Sequence, residues 1–143
     1  MKKIIIKGVG VFLFFVLLCF SCGTGNDDIV PITKVSFNVS LNTGNLVHVG
    51  GYEYYTGGVM GVVVYRLDMT TFYAYDRACP HDWRYGGRVV YDYNTLTLDC
   101  EECGSHFSIL NGYPMNDTNT IATMPLRMYK ARMIDEYTVH ISN

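Results

Sequence analysis

The stretches CPHDW (Cys79–Trp83) and CEECGSHF (Cys100–Phe107) decide how this chain is read. Between positions 79 and 106 they place Cys79, His81, Cys100, Cys103 and His106, as a C-x-H pair and a C-x-x-C pair with one further histidine. Two ligand-type side chains so close in sequence can grip one metal from a single loop with little closure entropy. In a β-rich fold, two such loops at neighbouring strand ends can converge on one ion or cluster. Pro80 fixes φ in the first loop and removes a backbone donor. Gly86, Gly87 and Gly104 allow tight backbone turns beside the two pairs.

Outward from these loops the chain reads as short strands with turn punctuation. KVSFNVSL alternates Val35, Phe37, Val39 and Leu41, the pattern of a half-buried strand. NTGN reads as a turn and LVHVGGYEYY as another short extended piece. GGVMGVVVYRL runs from glycine into β-branched residues and predicts a buried central strand. TTFYAYDRA leads straight into Cys79. RVVYDY and TLTLDC flank Asn94 as a hairpin whose second strand delivers Cys100. HFSIL pairs with the segment C-terminal to it, and NGYP turns. PLRMYKARMID and EYTVHISN close the chain as a hairpin, with Tyr137, Val139 and Ile141 on one face. No stretch sustains a helical period, and there is no internal repeat. The expectation is an all-β domain, a small antiparallel sandwich or barrel with ligand-bearing loops at one end.

The N-terminus carries a different signal. Lys2, Lys3 and Lys7 precede VGVFLFFVLLCF, an apolar core short for a membrane span, and Ser21, Cys22 and Gly23 follow. This resembles a bacterial lipoprotein signal, in which Cys22 takes the lipid and becomes the mature N-terminus. The expected organisation is a signal peptide over 1–21, a flexible tether over 22–33 and one domain over 34–143. An uncleaved N-terminal anchor is the alternative, and both imply an exported, membrane-tethered protein. The small, polar and acidic GTGNDDIVP suits a tether, and its acidic residues resemble surface-export signals of Bacteroidetes lipoproteins.

With 17% charged residues and a net charge of −2, the chain has no basic patch to attract nucleic acid. Aromatic residues make up 14%, twelve of them tyrosine, which favours half-buried strands. Of five cysteines, Cys19 leaves with the signal and Cys22 is lipidated, so Cys79, Cys100 and Cys103 remain. An odd number argues against a disulfide framework in an exported protein. Three thiols and one imidazole do complete a four-ligand metal set.

DRACPHDW with LDCEECGSHFSILNGYP resembles the Rieske [2Fe-2S] domain, whose loops read C-x-H and C-x-x-H, followed by G-S-x-F and a glycine. The first loop fits at Cys79, Pro80 and His81, and the tail of the second at Gly104, Ser105, Phe107 and Gly112. GVVVYRLDMTTFYAYDRACPH is similar to the family's strands before the first loop, and MPLRMYKARMIDEYTVHIS to its closing hairpin. The resemblance covers roughly Val35 to Ser142. It implies a [2Fe-2S] cluster, with Cys79 and Cys100 on one iron and His81 and Cys103 on the other. It also implies that Ser105 donates a hydrogen bond to a cluster sulfide.

The chain departs from the family at Cys103, where the family has its second histidine. Two neutral imidazoles on one iron raise a Rieske potential above that of a four-cysteine ferredoxin, so a thiolate here should lower it. His106, three residues on, is an alternative ligand, and otherwise a polar rim residue. Glu101 and Glu102 read as solvated loop charges, and His48 and His140 as ordinary strand histidines. Trp83 and Tyr85 are expected to pack beside the site and limit water.

The expected role is a membrane-anchored single-electron carrier in the cell envelope, with a redox partner protein of unspecified identity. The chain carries no second domain for substrate oxidation, no nucleophile–base pair and no nucleotide-binding loop, so a carrier is expected and not an oxygenase by itself. The signal lacks paired arginines and so reads as the route for unfolded chains, which keeps a rival open. That rival is a non-redox envelope lipoprotein using the fold as an interaction module. It would hold a structural zinc on three cysteines and one histidine, or no metal with a Cys100–Cys103 disulfide.

Overall fold

Val62–Arg66 is the strand around which the domain is built, because every residue in it is buried. The structure is a computed structural model and describes residues 29–143. The expected signal over 1–21, Cys22 and the first part of the expected tether lie outside the described residues.

Within them the strands are β1 (Ser36–Ser40), β2 (Tyr52–Tyr55), β3 (Val62–Arg66), β4 (Phe72–Asp76), β5 (Val89–Asp92), β6 (Thr97–Cys100), β7 (His106–Ser108), β8 (Met128–Asp135) and β9 (Thr138–Ser142). All named pairings are antiparallel. A six-stranded sheet runs β1-β9-β8-β4-β3-β2, and a three-stranded sheet runs β5-β6-β7. The expected all-β architecture is the one observed.

Strand β3 explains how the core divides. Successive side chains point to opposite faces of a sheet. Val63 and Tyr65 therefore enter one apolar cluster, with Tyr75, Cys79, Leu98, Cys100 and Phe107. Val62 and Val64 enter the other, with Val39, Leu46, Tyr129, Val139 and Ile141. Each fully buried valine contributes about 1.5–3 kcal/mol relative to an exposed one. The eight-residue β8 joins the halves: it pairs with β4 through Tyr129 and Met128, then with β9 from Lys130 to Asp135, with a bulge between Met133 and Asp135. Bulges raise local twist, and this one lies at the end of β8, beside the turn into β9.

Two local readings differ from the structure. Asn45–Val47 forms a 3₁₀ turn with Leu46 fully buried, where an extended piece was expected. The buried Arg66 is the cause: its Nη1 donates to the carbonyls of Leu46 at 2.8 Å and Val47 at 3.0 Å. Those acceptors are thus removed from any strand ladder. Tyr137 does not share the buried face of Val139 and Ile141, since it lies in the β8–β9 turn and is 54% exposed.

The polar anchor of the site end is Asp76, fully buried at the end of β4. Its carboxylate accepts from Val59 N at 2.7 Å, Met60 N at 3.1 Å, Ala78 N at 2.9 Å and the Tyr129 hydroxyl at 2.8 Å. Beyond it, Ala78 bridges to Arg88, which closes the first ligand loop at its neck. At the domain's N-terminal edge, Val30 is buried and its carbonyl accepts from the Arg127 guanidinium.

Candidate metal centre

The first loop is shaped by its own backbone. Cys79 N donates to Gly87 O at 3.0 Å, and Cys79 O accepts from Asp82 N at 3.2 Å and Trp83 N at 2.9 Å. A 3₁₀ turn at Trp83–Tyr85 follows. Asp82 O then accepts from Tyr85 N at 2.8 Å and Gly87 N at 2.9 Å. Gly87 must be glycine here, because a Cβ would lie 2.5 Å from the Cβ of Asp82. The second loop hangs between β6 and β7, with Gly104 N donating to Cys100 O at 2.9 Å and Cys100 N to Ser105 O at 2.9 Å.

These two loops bring together Cys79, Cys100 and Cys103, with Asp82 as a fourth member. One ligand-type atom from each lies within 4.8 Å of all the others. The Cys79 and Cys103 sulfurs are 3.7 Å apart, and none of the three thiols is in a disulfide. Cys79 and Cys100 are buried and Cys103 is half-buried.

Backbone amides serve each sulfur: His81 and Asp82 aim at Cys79, Glu102 and Cys103 at Cys100, and Ser105 at Cys103. The Cys79 thiol, together with these amides, holds Cys100 down to about 6 against the opposing effect of burial. Cys79 is pushed up by that same contact with Cys100 and then by burial. Burial also pushes Cys103 up.

Ser105 is fully buried, and its Oγ accepts from Ile121 N at 3.1 Å and Ala122 N at 3.0 Å. The Cys103 sulfur lies 3.2 Å from the same oxygen. The Cys103 thiol donates to that oxygen, and with Cys103 deprotonated on a metal the Ser105 hydroxyl could donate to the sulfur instead. Ser105 therefore stands beside the Cys103 sulfur, and its Oγ also pins the 121–122 segment over the second loop.

His81 is in the first loop but outside the four-residue group. Its Nδ1 lies 2.8 Å from Asp82 Oδ1, with 42% of the imidazole exposed against 16% of the carboxylate. Asp82 was missed by sequence reasoning, although it stands inside the CPHDW signature. His106 is carried by β7 opposite Asp99, with Nδ1 2.9 Å from Asp99 Oδ1 and away from the thiols. That contact raises its pKa above the usual histidine value. Glu101 and Glu102 are exposed. His48 is exposed too, and His140 Nδ1 pairs with Asn38 Oδ1 at 2.7 Å on the outer strands. Tyr85 is 86% exposed and shields nothing, while Arg84 stacks on the Trp83 ring at 4.7 Å.

Three convergent thiols, each served by backbone amides, are a donor set for a thiolate-bound metal. Iron and zinc both accept it.

No family model matches the chain, and no curated protein matches it. Among solved structures it is similar to a complex of reduced oxygenase and oxidized ferredoxin in carbazole 1,9a-dioxygenase. That match has 18% identity and a TM-score of 0.51, over 76% of this chain and 93% of the other. The ferredoxin of carbazole 1,9a-dioxygenase from Nocardioides aromaticivorans IC177 matches at 18% identity and a TM-score of 0.48, over 77% and 97% of the two chains. A Sphingomonas yanoikuyae B1 ferredoxin matches at 19% identity and a TM-score of 0.45, over 67% and 88%. The curled antiparallel sheets, with two ligand loops beside the smaller one, make the fold Rieske-like.

Proposed function

We propose that this chain is a lipid-anchored single-electron carrier of the cell envelope, in which Cys79, Cys100 and Cys103 hold an iron–sulfur cluster of the [2Fe-2S] type. The observation that carries the reading is the convergence of these three thiols from two loops, each sulfur already met by backbone N–H groups. A bound cluster supplies one-electron redox chemistry, with a potential set by ligand charge and by hydrogen bonds to sulfur. The chain's own part is to hold the thiolates, to give Cys103 the Ser105 hydroxyl, and to keep Cys79 and Cys100 out of water. The first loop would supply the fourth donor, a place the resemblance alone gives to His81. The carbazole dioxygenase ferredoxin, which shares the fold, is solved in complex with an oxygenase. A docked protein is the kind of partner proposed for this chain as well, with Cys22 supplying the membrane anchor.

The test is elemental. Protein purified without air or chelator should carry about two irons and two acid-labile sulfides per chain, with the visible colour of a cluster. A second reading, a structural zinc, is favoured by one observation: the donor atoms are gathered within 4.8 Å, tight enough to surround one ion. One zinc per chain and no sulfide would establish that reading and end the redox one.

A further inference from the structure

We propose that the fourth donor to the metal held by Cys79, Cys100 and Cys103 is the carboxylate of Asp82, with His81 bonded behind it. This rests on the proposed function only in so far as the three thiols hold a metal.

Position is the first argument. A carboxylate oxygen of Asp82 is within 4.8 Å of all three sulfurs, and no histidine nitrogen joins that group among the described residues. The Cys79–Cys103 separation of 3.7 Å agrees with the edge of a tetrahedron built on metal–sulfur bonds of about 2.3 Å, which is about 3.8 Å. A carboxylate among three sulfurs concentrates negative charge, and a cation at their centre would offset it.

The order of the groups is the second argument. A metal-bound histidine commonly gives its other ring nitrogen to a carboxylate standing outside it. Here the sequence is inverted, since the carboxylate is beside the sulfurs and the imidazole lies on its far side, 2.8 Å from Oδ1. Burial agrees, with the Asp82 side chain 16% exposed and that of His81 42%. His81 is thus placed to orient the carboxylate.

The backbone supplies the third. Asp82 is fixed through its own N–H to Cys79 O and through its carbonyl to Tyr85 N and Gly87 N. The absent Cβ of Gly87 is what leaves room for the Asp82 side chain. The loop is therefore built around the placement of residue 82, while His81 offers its amide to Cys79 and its Nδ1 to the Asp82 carboxylate.

Cobalt(II) is a suitable probe because thiolate-to-metal charge transfer reports how many sulfurs are bound, whether or not a cluster can be assembled. The reduced full chain, titrated without air, should show the spectrum of three thiolates. Asp82→Cys should raise the charge-transfer intensity to that of four. His81→Ala should keep the wild-type spectrum and weaken binding by about ten-fold, as expected for an outer partner, whereas Asp82→Ala should weaken it by more than about 100-fold. Pulsed EPR of the wild-type cobalt site should show no directly bound imidazole nitrogen. Such a nitrogen, lost in His81→Ala, would overturn the proposal, and neither measurement requires the Asp82 variants to fold. An iron-free, sulfide-free protein that still binds cobalt through Asp82 would end the electron-carrier reading alone. Iron and sulfide with a bound imidazole would end this inference alone.

Discussion

In the proposed centre, Cys103 is the residue on which the electronics would turn. It sits in the half-buried position of the second loop, with Ser105 Oγ 3.2 Å from its sulfur. A histidine there would be neutral where the thiolate is anionic, so the bound metal would carry one less negative charge and the reduced state would be less disfavoured. Cys103→His should therefore raise the midpoint potential by roughly 100–200 mV, a fraction of the gap between Rieske and plant-type clusters. Protein-film voltammetry measures it, and a retained cluster with an unaltered potential would show that Cys103 is no ligand. The cysteines were legible in the sequence because their spacing is a count, which needs no orientation. Asp82 was not, because two adjacent side chains in a loop point in different directions and only the hydrogen bonds of the Asp82 backbone decide which turns inward.

At the level of elements, the link between sheet and site is the end of β4. The four hydrogen bonds accepted by the Asp76 carboxylate tie the 59–60 turn, the Ala78 amide and Tyr129 of β8 to one buried group. Removing it leaves buried donors unpaired, each at a cost of about 1–3 kcal/mol. Asp76→Ala should lower stability by roughly 3–5 kcal/mol, read as a fall in the urea midpoint at unchanged slope. A loss below about 1 kcal/mol would mean that water replaces the carboxylate freely. Strands β1, β3, β5, β6 and β9 were legible because alternation or an unbroken β-branched run is a local property of sequence. The 3₁₀ turn at Asn45–Val47 was not, since it is fixed by Arg66, about twenty residues away, claiming the carbonyls. Asp76 was equally hidden, because an aspartate at a strand end looks like a solvated turn residue until its partners are placed.

Across the whole molecule, β3 divides two apolar clusters, and both cysteines of one of them, Cys79 and Cys100, are themselves core residues. The metal end is thus continuous with the packing of the domain. The proposed attachment to the envelope would rest on Cys22. Cys22→Ser should abolish lipid labelling and release the domain from membranes or leave an uncleaved precursor, and unchanged acylation by mass spectrometry would place the processing site elsewhere. The docking of Val30 then acquires a geometric meaning. Ile29 and Val30 share a groove with Pro80, Met124 and Pro125, so the chain joins the domain beside the first loop. Residues 23–29 lie between Cys22 and Val30, at most about 25 Å of extended chain. Were Cys22 lipidated, a molecule on so short a leash would hang by its candidate metal end, close to the bilayer. Its proposed partner would then meet it by lateral search in the membrane plane, and crowding of that plane, more than concentration in the surrounding volume, would set how often the two meet.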